Sequence, residues 1–116
     1  MKIKIHNDVW KVKLVDANAK KMNPDPNSYN FGLTEYKELL ISIMDGRSES
    51  VTRSTLIHEL VHAFLFSYGH TVEGEEAMCD FFGVHGDEII DLTNQIIERW
   101  GDLSLIHISE PTRLDV

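Results

Sequence analysis

Apolar and charged residues alternate along the N-terminal part of the chain. Residues 2–6 and 9–15 each follow a period of two, and Asn7 and Asp8 lie between the two runs. This alternation is typical of strands that bury one face, and Asn and Asp favour tight turns. The pattern therefore predicts a β-hairpin over 2–15 whose apolar side has to be covered.

The following segments predict a surface loop and then a further strand. Residues 16–30 are polar and include a run of turn-forming residues at 23–28, which predicts the loop. Residues 36–44 are rich in apolar residues, and residues 31–34 are compatible with an extension of this strand. Together with the hairpin, the strand predicts a small antiparallel sheet.

A long apolar segment then predicts a buried helix. Residues 56–66 are apolar at all but three positions, as expected of a helix buried over most of its circumference. Ser48, Ser50 and Thr52 are alternative N-caps, and Gly69 is suited to end the helix. This helix is the expected cover for the apolar side of the sheet.

The helical period predicts two further helices, one over 73–84 and one from about 87 to 100. On the first of them, Glu76 and Asp80 border the apolar side, where acidic side chains need a cation. The second has a continuous apolar stripe suited to packing. The predicted fold class is α+β, with a small antiparallel sheet (N-terminal hairpin plus the strand near 36–44) packed on the buried helix and followed by two further helices.

The polar residues of the buried helix form the motif His58-Glu59-x-x-His62. Histidines four residues apart lie on one face of a helix, with about 5–6 Å between their Cβ atoms, so both can bind one zinc ion. Glu59, at the edge of that face, can take a proton from a zinc-bound water without binding the metal. The alternative is a pair of core histidines bonded to backbone carbonyls, but the buried setting, where polar residues need partners, favours zinc.

Composition narrows the class of protein. The chain has 116 residues, 42% of them hydrophobic, which suits one domain with a modest core. Its net charge of −8 disfavours nucleic acid as a partner, and the single cysteine, Cys79, excludes an intrachain disulfide and a cysteine zinc cluster. No apolar run is long enough for a signal peptide or a membrane span, so we expect a cytoplasmic protein without a membrane partner.

The C-terminal residues have a different character. Residues 103–113 resemble, residue for residue, the in-frame translation of a transposase-based sequencing-library adapter. We therefore interpret residues 1–102 as a single domain and residues 103–116 as an artefactual tail, which excludes His107 from the site. The alternative is a natural strand near the start of this tail.

The motif and the acidic residues that follow it, Glu76-x-x-x-Asp80, resemble the pattern of zincin metallopeptidases of the gluzincin type. The resemblance covers residues 58–80 by motif and 36–100 by the order of elements, and at this size the chain looks like a minimal zincin of phage or bacterial origin. It implies a zinc-dependent peptidase in which His58 and His62 are zinc ligands and Glu59 is the general base.

The resemblance also implies roles for residues outside the motif. Glu76 would be the third zinc ligand, and Asp80 would accept a hydrogen bond that orients a ligand histidine. Large gluzincins have a further domain whose histidine or tyrosine stabilises the oxyanion; here the nearby candidates are Tyr68, His70 and His85. The strand at 39–44 would be the sheet edge along which a peptide substrate lies.

Helix geometry favours Glu76 over its acidic neighbours as the third ligand. With about 100° per residue, Glu76 and Asp80 lie about 40° apart, whereas Glu75 and Asp80 lie about 140° apart. The face shared by Glu76 and Asp80 is expected to point into the domain. Glu73 is better placed as a partner of the helix dipole.

Two other classes of function stay open at this point. One is a catalytically weak or inactive zincin-fold module of phage origin that binds a partner, although the presence of Glu59 argues against it. The other is a chain that uses zinc only to fold, which would need a closed site of four ligands where three strong ones are apparent. The leading prediction is a Zn²⁺-dependent hydrolase acting on a peptide or protein substrate.

Overall fold

The computed structural model describes residues 1–103, which form a mixed sheet of four strands and two long helices. The strands are β1 (Lys2–Ile5), β2 (Asp8–Val15), β3 (Gly32–Glu35) and β4 (Leu40–Met44). The helices are α1 (Glu49–Tyr68) and α2 (Glu75–Leu103). The α+β class is confirmed. The predicted tail, and the alternative strand within it, lie outside the described residues apart from Leu103.

The N-terminal hairpin forms as its alternation predicts. β1 and β2 pair antiparallel, with Ile3 opposite Trp10. The inward residues Ile3, Ile5, Trp10 and Val12 are buried, whereas the lysines between them are exposed. One face of the hairpin therefore contributes to the core and the other meets solvent.

The prediction of a wholly antiparallel sheet is wrong. The strand order is β1-β2-β4-β3, and β2 pairs with β4 in parallel, with Val12 opposite Ile41. The segment 31–44 is not one strand: it forms a β3–β4 hairpin that turns back near Leu39, whose φ of 53° is left-handed. β4 therefore lies inside the sheet, and β3 forms an edge.

α1 covers one face of the sheet and begins and ends where expected. The side chain of Ser48, one of three predicted N-caps, accepts a hydrogen bond from the backbone N–H of Val51. Gly69 adopts the left-handed conformation that ends the helix, and its N–H bonds back to carbonyls of the last turn. The Trp10 indole N–H donates to Ser67 Oγ at 2.8 Å, which joins this last turn to β2.

The two helices predicted after α1 are a single helix, α2, which packs against α1. Its buried side follows one stripe without a break: Phe81, His85, Ile89, Thr93, Ile96 and Trp100. Gly83 and Gly86 lie inside the helix, because continuous burial on this stripe outweighs their low helix propensity of about 1 kcal/mol each. Neither helix in the described part of the chain has the length and apolar character needed to cross a membrane.

Candidate metal and catalytic site

His58 and His62 are brought together on the outer side of α1. Their Nε2 atoms lie 3.2 Å apart and their ring centroids 4.9 Å apart. His58 is exposed and His62 is half-buried, so both nitrogens are accessible from solvent. One turn of helix separates the two residues, which is why the side chains meet.

The spacing of the two nitrogens fits a zinc ion. Nitrogens at about 2.0–2.1 Å from a tetrahedral zinc lie about 3.3–3.4 Å from each other, close to the observed 3.2 Å. The same distance also allows one imidazole to donate a hydrogen bond to the other. In either case the two nitrogens lie close enough together to bind one shared ion.

Glu59 points in a different direction from the histidines and is buried against β3. Its exposed fraction is 7%, and its Oε1 accepts a hydrogen bond from Thr34 Oγ1 at 2.6 Å. Because neighbouring residues on a helix are separated by about 100°, Glu59 faces the sheet edge while His58 faces solvent. The Glu59 carboxylate is therefore held against β3 by this hydrogen bond.

A cavity of about 480 Å³ opens between β3 and α1, and both His58 and Glu59 line it. His58 and Glu59 lie on its helix side, together with Ser54 and Thr55. The opposite side consists of the segment 29–32, including the aromatic residues Tyr29 and Phe31. A ligand bound at His58 and a group beside Glu59 would thus share one cavity.

Glu76, the predicted third ligand, is not brought to the histidine pair. It is exposed in the first turn of α2, where its charge suits the helix dipole. The face predicted to point into the domain is only partly buried, since Phe81 is 6% exposed but Val84 is 75% exposed. Within residues 1–103 no three His, Cys, Asp or Glu side chains form a group that could hold a metal ion.

Asp80 and the three oxyanion candidates lie around a second cavity, of about 360 Å³. Asp80, His70 and His85 line it, and the Tyr68 ring lies 4.5 Å from the His85 ring between centroids. His85 is buried, with 8% of its surface exposed. None of these four residues lines the cavity beside Glu59.

Sequence reasoning missed the contacts that β3 makes with Glu59. Gly32 and Thr34 lie on the face of β3 that meets α1: Thr34 bonds to the Glu59 carboxylate, and a Cβ atom added at Gly32 would meet the Glu59 side chain. The period of two within 32–35 could have placed them on one face, but only if these residues had been assigned to a separate strand. The predicted substrate edge at 39–44 is also wrong, since β4 is paired on both sides and β3 is the edge next to the site.

Comparison with known proteins adds no relative to this description. No protein-family model, curated protein or solved structure matches the chain. The functional argument therefore rests on the residues themselves.

Proposed function

We propose that the protein is a zinc-dependent metallopeptidase of the HExxH type. The observation that carries the proposal is the 3.2 Å separation of the His58 and His62 Nε2 atoms, the spacing of two nitrogens that share one zinc ion. The buried carboxylate of Glu59 opens onto the same cavity as His58. Two histidine ligands and a base are three of the parts that such a site needs, and a third ligand completes the set.

Each residue has a defined task in the proposed reaction. Zinc, when bound to His58 and His62, supplies a Lewis acid that activates water and polarises the peptide carbonyl. Glu59 accepts the proton of the attacking water and then passes it to the leaving amine. The substrate lies extended along the free edge of β3, where backbone groups are available for pairing.

Glu76 stays the predicted third ligand, with Asp80 as the residue that orients a ligand histidine. Both are on α2, and both are exposed. Zinc binding by Glu76 would require the first turn of α2 to lie closer to the histidine pair than it does in this structure. The cytoplasmic location and the phage origin stay predictions from the sequence.

The first test measures the metal. Protein purified without chelator and resupplied with zinc is expected to hold one zinc per chain, and His58→Ala or His62→Ala should lose it. Substitution of His70, which lies at the other cavity, provides the matched control and should leave the zinc content unchanged. Elemental analysis that finds no zinc in the unmodified protein would contradict the proposal.

The second test looks for the reaction. The zinc-loaded protein is incubated with a mixed peptide library, and cleaved bonds are identified by mass spectrometry. We expect cleavage that a chelator stops and that added zinc restores. The residues flanking the cleaved bonds then identify the substrate class.

A zincin-fold binding or regulatory module without hydrolytic activity is the alternative. The observation that favours it is the absence, within residues 1–103, of a third acidic or histidine side chain gathered with His58 and His62. This alternative predicts zinc binding and partner binding without cleavage of any peptide in the library. The two tests together therefore separate the enzyme from the module.

A further inference from the structure

We propose that Thr34 and Gly32 of β3 are positioning residues for Glu59, which hold its carboxylate in one orientation toward the cavity. The inference rests on the proposed role of Glu59 as general base, but the contacts themselves do not depend on zinc. Both residues lie on the edge strand, on the face that meets α1.

The hydroxyl of Thr34 fixes one oxygen of the carboxylate. Thr34 Oγ1 donates to Glu59 Oε1 at 2.6 Å, a short distance of the kind seen when a hydroxyl donates to a charged oxygen. The same hydroxyl lies 3.4 Å from the Glu59 carbonyl oxygen, so it contacts the side chain and the backbone of one residue. A base held at two points keeps less rotational freedom than one held at its backbone alone.

Gly32 allows β3 to come this close to α1. A Cβ atom at position 32 would lie 2.6 Å from Thr55 Cγ2 and 2.9 Å from Glu59 Cγ. Both distances are shorter than real carbon atoms tolerate, so any side chain here would push Glu59 or the strand away. Glycine is needed for close approach and not for backbone conformation, because Gly32 is not among the residues with positive φ.

The second oxygen of Glu59 is left available for chemistry. Within residues 1–103, Oε2 has no hydrogen-bond donor, and Ser42 Oγ is the sole fully buried side-chain oxygen or nitrogen without a partner. Oε2 is therefore not fully buried: it lies on the side of Gly32, where an added Cβ atom would come within 3.1 Å of it, and the Glu59 side chain lines the cavity that His58 also lines. Thr34 thus occupies one oxygen of the carboxylate and leaves the other without a donor, on a side chain that lines the same cavity as His58.

The experiment compares three variants. Thr34→Val removes the hydroxyl and keeps the branched shape, Thr34→Ser keeps the hydroxyl, and Ser42→Ala removes a buried hydroxyl from the neighbouring strand that has no partner. The first readout is the ¹³C resonance of the Glu59 carboxylate in the zinc-free protein, assigned with Glu59→Gln. The second is kcat and KM of the zinc-loaded protein for a peptide that it cleaves.

We expect Thr34→Val to move the Glu59 resonance and to lower kcat by about 10- to 100-fold, the range typical of residues that orient a functional group, with KM and zinc affinity unchanged. Thr34→Ser should restore both readouts, and Ser42→Ala should alter neither. A Glu59 resonance that stays in place in Thr34→Val overturns the inference. If the unmodified protein cleaves nothing, the proposed function fails, while the resonance still decides whether Thr34 positions the carboxylate.

Discussion

At the scale of single residues, the motif combines two kinds of surroundings within five positions of α1. Glu59 is buried beside β3, whereas His58 is exposed. The helical repeat produces this contrast, since consecutive side chains point about 100° apart. A metal ion can reach an exposed side chain from solvent. A buried side chain is held in one orientation, as a general base requires. The sequence motif predicts that the histidines pair, but the expectation of a buried setting for all three motif residues is wrong, because His58 is exposed and His62 is half-buried.

Substitution of Glu59 by Gln tests the role of its charge. Gln keeps the length of the side chain and an oxygen that can accept from Thr34, so the fold and zinc binding should be unchanged. Loss of the base should lower kcat/KM by at least about 100-fold. Zinc content and cleavage of a reporter peptide are measured on the same preparation. Equal cleavage by both proteins would exclude Glu59 as the base.

At the scale of elements, the helix ends were predictable and the strand partners were not. The caps Ser48 and Gly69 follow from local hydrogen bonds that the chain makes with itself. The parallel neighbours β2 and β4 are distant in sequence, and a period of two carries no information about which strand lies beside which. The prediction of two helices in place of α2 is wrong, because the buried stripe continues past Gly83 and Gly86 and outweighs their low helix propensity.

The continuity of α2 can be tested by replacing its glycines. At Gly83 a Cβ atom would meet nothing within 4 Å, so Gly83→Ala should stabilise the protein by about 0.5–1 kcal/mol through helix propensity. Thermal denaturation should show a rise in Tm of a few degrees. Gly69→Ala is the matched control and should lower Tm, because Gly69 has a φ of 71°. Destabilisation by both changes would mean that the helix breaks near Gly83 in solution.

Which acidic residue is the third zinc ligand depends on which side of α2 faces the metal. Alanine substitutions near the start of α2 therefore identify the ligand. We expect Glu76→Ala to weaken zinc binding most and Glu73→Ala and Glu75→Ala to weaken it least. Asp80→Ala should fall between them, at about 10- to 100-fold, as for residues that orient a ligand. Zinc affinity is measured by competition with a chromophoric chelator. If Glu75→Ala is the most damaging, the predicted register is wrong; if all four effects are small, zinc is held without this turn of α2.

At the scale of the whole molecule, one cluster of buried residues joins the sheet, α1 and α2. It extends from Ile3 in β1 to Trp100 near the end of α2. Met22 and Met44 are buried outside this cluster, and Met22 lies in a segment for which the sequence predicted only a surface loop. The sequence did not predict the burial of Met22, because a single buried methionine beside turn-forming residues produces no periodic pattern of apolar positions.

The predicted tail gives a prediction at this scale. Deletion of residues 103–116 should leave zinc binding and the melting temperature unchanged, because Trp100, the last buried residue in the part of α2 whose burial the structure describes, is retained. Zinc content and thermal denaturation of the shortened protein are compared with those of the full chain. Loss of folding or of zinc after the deletion would show that the tail belongs to the domain.

The parallel seam between β2 and β4 has a consequence for how fast the chain reaches this structure. The β1–β2 and β3–β4 hairpins join residues that are close in sequence, whereas the seam joins Val12 to Ile41 and must close a long loop before it gains any contact. Closing the seam should therefore limit the folding rate. In stopped-flow refolding followed by tryptophan fluorescence, Ile41→Val should slow folding, whereas Ile96→Val in α2 should chiefly accelerate unfolding.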